Sequence, residues 1–317
     1  MQYMKANNSR TTLGYFLAGV AGFVTAVQSR VNGGLADYLG SGIGAALVNF
    51  MVGLAIVSIL VFAFPRSRAG VLAVIRALHA RTLPWWALIG GLFGAFFIAS
   101  QSTSVPVIGV ALFSVALVSG QTVSSLMVDR LGIGTAGGVP VTGPRIVGAF
   151  GAAIAVVVAV SDQWGSQAGG FWLLIGLSFI AGVLVAMQQA VNGRVAITAQ
   201  SAPAATFGNF LVGGLALALI VGLTGGFTGS SSLDFGGPGW AYLGGVLGVV
   251  FIGISAFTVP ILGVLSFALA VIAAQIAGSV VVDLLWPATE QPVTFPVIAG
   301  AALAMLAAYI GRRRAAA

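Results

Sequence analysis

The sequence predicts an all-α integral membrane protein of ten transmembrane helices, arranged as two five-helix repeats of opposite orientation. Three observations lead there. The composition is far too apolar for a water-facing surface, ten apolar runs have spanning length, and an odd number of those runs is repeated.

Hydrophobic residues make up 59% of the 317 residues, charged ones only 6%, and the mean hydropathy is +1.08. Soluble domains carry roughly 25% charged residues, so this chain lacks the polar surface that water requires. Gly is abundant, at 46 residues, and small residues let membrane helices approach closely. With no Cys and a single His, His79, neither a disulfide nor a multi-His or Cys-based metal site is available. No metal and no cofactor is expected. The first apolar run follows Lys5 and Arg10. Its length, and its copy in mid-chain, mark it as a mature span rather than a signal peptide.

A span needs about 20 mostly apolar residues. Ten are read, at 13–32, 42–64, 84–103, 106–128, 143–160, 170–192, 203–223, 239–257, 260–282 and 293–311. Uninterrupted apolar runs favour helices over barrel strands, which alternate in polarity. The joints at Val105-Pro106 and Val259-Pro260 read as tight hairpins or kinks. A single helix over 84–128 would be about 67 Å long at 1.5 Å per residue, twice the bilayer core.

Charge orients the spans. With a cytoplasmic N-terminus, the inner side holds Lys5, Arg10, Arg66, Arg68, Arg76, Arg81, Arg130, Arg145, Arg194, Arg312, Arg313 and Arg314, which is 12 of the 13 Lys and Arg residues. Only Arg30 falls outside. The positive-inside rule therefore predicts both termini in the cytoplasm of a multi-pass cytoplasmic-membrane protein. The net charge of +7 is then a topology signal, and no nucleic-acid partner is expected. The basic connection 65–83 reads either as an amphipathic helix on the inner membrane face or as a solvated loop.

Aligning 26–53 with 186–213 gives 12 identities in 28 positions, among them Gln28/Gln188, Asn32/Asn192, Gly33/Gly193, Asn49/Asn209 and Phe50/Phe210. Aligning 84–129 with 238–283 gives 18 in 46, including Trp86/Trp240, Gly90/Gly244, Gly94/Gly248, Pro106/Pro260, Gly109/Gly263, Gln121/Gln275, Ser125/Ser279 and Asp129/Asp283. Shared Ala and Val could follow from composition. Shared Gln, Asn, Asp, Pro and Trp in a chain this apolar indicate duplication. The repeats are 1–160 and 161–317, together one transport unit. Five spans is odd, so the second unit enters the membrane inverted, the architecture of secondary transporters.

The paired Q-x-x-V-N-G … N-F-x-V-G blocks and the five-plus-five design resemble the drug/metabolite transporter superfamily, in particular its YdcZ-type, EamA-like bacterial branch. The resemblance implies a solute pathway between the halves, lined by spans 1, 3, 4, 6, 8 and 9. Related small multidrug exporters couple to protons through a Glu in the first helix. Here the only Glu is Glu290, beside the last span.

Polar groups inside a membrane are site candidates by default. The pathway candidates are Gln28, Asn32, Asn49, Gln121 and Ser125, with their mates Gln188, Asn192, Asn209, Gln275 and Ser279. Gln121, Ser125 and Asp129 share one helical stripe, as do Gln275, Ser279 and Asp283. Asp129 and Asp283 would sit at opposite gates. The alternative for these stripes is bonding between helices, and Asn32 and Asn192 could simply cap helix ends. Arg30 either pairs with Asp37 or marks an access point for an anionic solute. The Gly90/Gly94 and Gly244/Gly248 pairs are read as packing or sliding faces, and the Trp residues as an interfacial belt.

The sequence thus predicts a secondary transporter of a small metabolite or drug-like solute, working by alternating access. No G-x-x-x-x-G-K-[ST] loop offers nucleotide binding. A neutral polar lining favours a neutral or zwitterionic solute over a bare cation. The competing classes are a non-transporting membrane subunit or scaffold, and a lipid-handling membrane enzyme, for which nucleophile and acid–base clusters are missing. The partners expected are a small-molecule substrate and membrane lipid. A monomer suffices, and a homodimer is compatible.

Overall fold

The computed structural model describes residues 2–131, 142–164, 169–225, 235–262, 264–289 and 292–311. The Asp129 side chain, the Lys5 side chain, Glu290, Arg312, Arg313 and Arg314 lie outside the described residues. Every described element is helical: α1 Gln2–Leu39, α2 Gly42–Ala63, α3 Pro65–His79, α4 Gly90–Arg130, α5 Gly143–Ala159, α6 Gly169–Ala199, α7 Ala202–Leu223, α8 Gly244–Leu262, α9 Val264–Leu285 and α10 Phe295–Gly311. Short 3-10 turns, η1 Trp85–Ile89 and η2 Gly239–Leu243, lead into α4 and α8.

Seven of the described helical stretches are long and apolar enough to cross a membrane, and α5 and α10 are shorter apolar helices. The stretch Trp85–Val128 is 44 residues long, and it does not run straight. Gly109 has φ 77° and ψ 167°, a conformation open essentially to Gly alone. Gly94 abuts the Gln188 amide, while Leu117 abuts Gly182. A straight helix would separate 94 from 117 by about 34 Å, yet 182 and 188 are about 9 Å apart along α6. The chain therefore folds back at Gly109. The sequence reading put this joint at Pro106; Pro106 instead lies within the helical stretch, and the break falls where glycine permits it.

The α1–α2 and α6–α7 turns have the same geometry. Gly40 and Gln200 are left-handed, with φ 63° and 47°. Ser41 and Ser201 follow with φ −153° and −152°, and their hydroxyls accept from Gly44 N–H and Ala204 N–H. Each Ser satisfies a helix N-terminal donor that no intrahelical carbonyl can reach.

Contacts between the corresponding segments are reciprocal. Gly53 leaves space for Phe210, and Gly213 leaves space for Phe50. The two rings meet edge to face at 5.2 Å. The second helical stretch of α4, after Gly109, is deeply enclosed, with Phe113, Val115, Leu117 and Val118 buried. Helices α5 and α10 join through small side chains, Ala155 and Ala159 closing on Gly300.

Helix α3 answers the open question about 65–83. It is a helix with Pro at its first turn, where the missing N–H costs nothing. Ser67, Gly70 and Val74 are buried, and Ser201 Oγ donates to Ser67 Oγ at 3.2 Å. Arg66, Arg68 and Arg76 stay exposed. The strap thus ties the end of α2 to the α6–α7 turn.

Candidate functional site

A cavity of about 600 Å³ opens among α1, α2, α4, α6, α7, α8 and α9. Seven of the ten candidate pathway residues line it: Gln28, Asn49, Gln121, Gln188, Asn192, Asn209 and Gln275. Phe rings, including Phe50, Phe210 and Phe267, cover much of the rest. Among the described lining residues none is Asp, Glu, Lys, Arg or His.

The amides of the first segment form a continuous hydrogen-bonded chain. Asn49 Nδ2 donates to Asn32 Oδ1 at 2.8 Å, and Asn32 Nδ2 donates to Gln101 Oε1 at 2.6 Å. Gln101 Nε2 donates to Ser29 Oγ at 2.7 Å, and Ser29 Oγ donates to the Thr25 carbonyl. All four side chains, Ser29, Asn32, Asn49 and Gln101, are buried. Interior amides without partners would cost about 1–3 kcal/mol each, and these bonds spare Asn32 and Gln101 that cost. Gln28 Nε2 reaches 216 residues along the chain to donate to the Gly244 carbonyl at 2.8 Å.

The mates of these residues are arranged differently. Gln188 Nε2 and Asn192 Nδ2 both donate to Asn209 Oδ1, at 3.2 and 3.1 Å. All three are half-buried and face the cavity. Gln101 aligns with Ser255, whose hydroxyl donates to its own helix at the Phe251 carbonyl.

The glycine pairs receive these amides. Gly244 and Gly248 abut Asn32 and Gln28, while Gly90 and Gly94 abut Asn192 and Gln188. A methyl group at any of the four would meet an amide. Beyond the packing faces read from spacing, these glycines are the seats in which one segment's Gln and Asn rest against the other.

Three candidates lie off the cavity. Asn32 sits behind Asn49 in the hydrogen-bonded chain. Ser125 Oγ donates to the Thr122 carbonyl and Ser279 Oγ to the Ile276 carbonyl, each on its own helix. The predicted stripes therefore divide, with Gln121 and Gln275 facing the cavity and the Ser residues turned to backbone. Asp283 has a distinct role. Its Oδ1 accepts from Val110 N–H at 3.0 Å and its Oδ2 from Ala111 N–H at 2.7 Å. It caps the helix that restarts after Gly109.

Arg30 Nε donates to the Trp286 carbonyl at 3.1 Å. Its guanidinium lies 4.8 Å from the Trp286 ring centroid and 5.9 Å from that of Trp240. Its hydrogen bond thus goes to Trp286 rather than Asp37, and the side chain closes a stack in which Trp240 and Trp286 meet at 4.7 Å. At the other end Arg194 lies 5.1 Å from the Trp86 centroid. Cation–π contacts of this kind contribute about 0.5–2 kcal/mol. Sequence alignment could not pair these clamps, because Arg30 aligns with Ala190 and Arg194 with Gly34. The repeated Trp86 and Trp240 were the available signal.

No curated protein matches the chain. A solved structure described as "Crystal structure of protein" shares the fold, with a TM-score of 0.51 at 18% identity over 96% of each chain. A family profile described as "Putative inner membrane exporter, YdcZ" matches residues 13–158 and 173–310. That match takes in the cavity, both glycine pairs and both amide clusters. The chain belongs to this YdcZ family of the drug/metabolite transporters, and is a multi-pass, all-α protein of the inner membrane.

Proposed function

We propose that the protein is a secondary transporter that carries a small metabolite or drug-like solute across the inner membrane by alternating access. In this reading the repeats 1–160 and 161–317 are two five-span units of opposite orientation, with both termini cytoplasmic. Seven long apolar helices, one of them turned back at Gly109, plus the short α5 and α10, support ten spans. The placement of 12 of 13 basic residues on one side supports the orientation.

One observation carries the reading: equivalent glutamines on the cavity wall hold different partners. Gln28 bonds the Gly244 carbonyl across the two units. Gln188 bonds Asn209 within its own unit and lines the cavity. Two inverted copies of one structure can exchange these states, closing one face as the other opens. The cavity reaches Ala196, Ala202 and Ala205 beside the α6–α7 turn, which the charge pattern assigns to the cytoplasm. The conformation is then inward-open, with Gln28, the Asn32–Gln101 chain and the Arg30–Trp286 stack closing the outer face. Gln121 and Gln275 are the solute-facing pair, Asn49, Gln188, Asn192 and Asn209 complete the lining, and Asp283 holds the outer fold-back in place.

A thermal-shift screen against metabolites and drugs, followed by flux of the hit in proteoliposomes, tests this. A bound ligand raises the apparent stability of the folded state. Gln121→Ala and Gln275→Ala are expected to abolish flux at an unchanged melting temperature. Unchanged flux in both variants contradicts the reading.

A further inference from the structure

The cavity also indicates what kind of solute it takes, given the transporter reading above. Gln275 is only 5% exposed, yet its Nε2 has no hydrogen-bond partner. It lines the cavity. A buried amide donor without an acceptor is unfavourable, and natural interiors seldom leave one. Its mate Gln121 lines the same cavity from α4. Of the other amides on the wall, Gln28, Asn49, Gln188 and Asn192 donate hydrogen bonds within the protein, Asn209 accepts two, and Gln189 is exposed. Among the described lining residues, the amide nitrogen that is both buried and without a partner is therefore that of Gln275.

The remainder of the wall restricts charge. Among the described lining residues there is no acid and no base. A cation or anion enclosed there would lose its hydration without gaining a counter-charge. The Phe side chains from α2, α4, α7, α8 and α9 supply flat apolar surface instead. A volume of about 600 Å³ lies within the usual range for small-molecule sites, roughly 300–1,000 Å³.

We propose that the solute is uncharged, with a flat apolar body and a carbonyl-type acceptor, and that the Gln275 amide, seconded by Gln121, binds that acceptor. The Phe walls hold the body. The amide selects against analogues that cannot accept a hydrogen bond, because such an analogue leaves Nε2 unpartnered.

Three probes of one shape separate charge from size: 2-naphthamide, 2-naphthamidinium and 2-naphthoate. Binding to purified full-length protein is measured by thermal shift and by ligand-observed NMR. The expected result is saturable binding of 2-naphthamide, with the two charged probes at least tenfold weaker. Gln275→Ala should weaken 2-naphthamide about tenfold while leaving the ligand-free melting temperature in place. Gln275→Glu should reverse the preference toward 2-naphthamidinium. Gln121→Ala provides a second variant if a Gln275 change impairs folding.

Tighter binding of 2-naphthamidinium or 2-naphthoate by the unmodified protein overturns the substrate class. So does 2-naphthamide binding that neither Gln variant changes, or no binding of any probe. Sided thiol labelling of Ala196→Cys and Ala36→Cys in inverted and right-side-out membrane vesicles keeps the two levels apart. If labelling alternates but the probes fail, only the substrate class falls. If both positions label from one side, the transporter reading falls as well.

Discussion

The two amide clusters have nearly the same residues but differ in burial and hydrogen bonding. Gln28, Asn32 and Asn49 are buried, linked to one another through Gln101 and Ser29 and anchored to Gly244. Gln188, Asn192 and Asn209 share a single acceptor oxygen and face open space. The difference does not come from residue type, since the three positions are identical. It comes from one extra partner, Gln101, and from the bond between Gln28 and Gly244. The first cluster therefore has the denser hydrogen bonding, while all three amides of the second face the cavity.

The largest effect should come from removing the extra partner. Gln101→Leu orphans the Asn32 amide and withdraws the donor that meets Ser29, at about 1–3 kcal/mol per orphaned group. The melting temperature in detergent should fall by several degrees. Ser255→Ala, at the equivalent position, should change it little, because its hydroxyl only bonds its own helix. Equal losses would erase the distinction between the clusters.

Gly109→Ala comes next. At φ 77° and beside the Asp283 carboxylate, a side chain costs roughly 1–3 kcal/mol of backbone strain. The same melting experiment should register it clearly. A neutral result would mean that the fold-back does not depend on this backbone conformation.

Gln28→Ala against Gln188→Ala sharpens the comparison. Losing the Gln28 bond across the units should cost about 0.5–1.5 kcal/mol, whereas Gln188→Ala should melt close to the unmodified protein. Both should reduce transport of a solute identified by screening. The reverse ranking of stability would assign the closed face to the wrong end.

The smallest change is a gain. Gln200 occupies the left-handed conformation that Gly40 takes in the matching turn. Gln200→Gly should relieve about 1 kcal/mol of that strain, partly offset by the greater freedom of glycine in the unfolded chain. A modest rise in melting temperature is expected, and a fall would show that the Gln200 side chain contributes contacts of its own.

The reach of sequence reasoning follows from these same residues. The internal sequence repeat was legible because Gln, Asn, Pro and Trp are scarce in this chain, so their coincidence at fixed offsets carries information. Seven polar residues of the cavity lining followed from the cost of polar groups in hydrocarbon. Gln101 was passed over because its repeat position holds Ser255. The seating of Gln28 and Asn32 on Gly248 and Gly244 joins residues more than 200 positions apart, which helical periodicity cannot register. Helical spacing grouped Ser125 with Gln121 and Ser279 with Gln275, but a hydroxyl can turn to its own helix's carbonyls while a longer amide projects outward. Asp283 was legible as a buried acid; its capping of Val110 and Ala111 required the position of the Gly109 break.

Alternation between the two faces is tested most directly by Ala36 and Ala196. They are equivalent, identical alanines; Ala36 is buried and Ala196 is exposed and lines the cavity. Because the chain has no Cys, Ala36→Cys and Ala196→Cys each introduce the single thiol. A membrane-impermeant maleimide applied to inverted and right-side-out vesicles, with and without a transported solute, reads their accessibility. The account predicts that Ala196→Cys labels rapidly from the cytoplasmic side. Ala36→Cys should label only from the outside, and faster during turnover, as labelling of Ala196→Cys slows. Labelling of both positions from the same side, or no change in either during turnover, would contradict it.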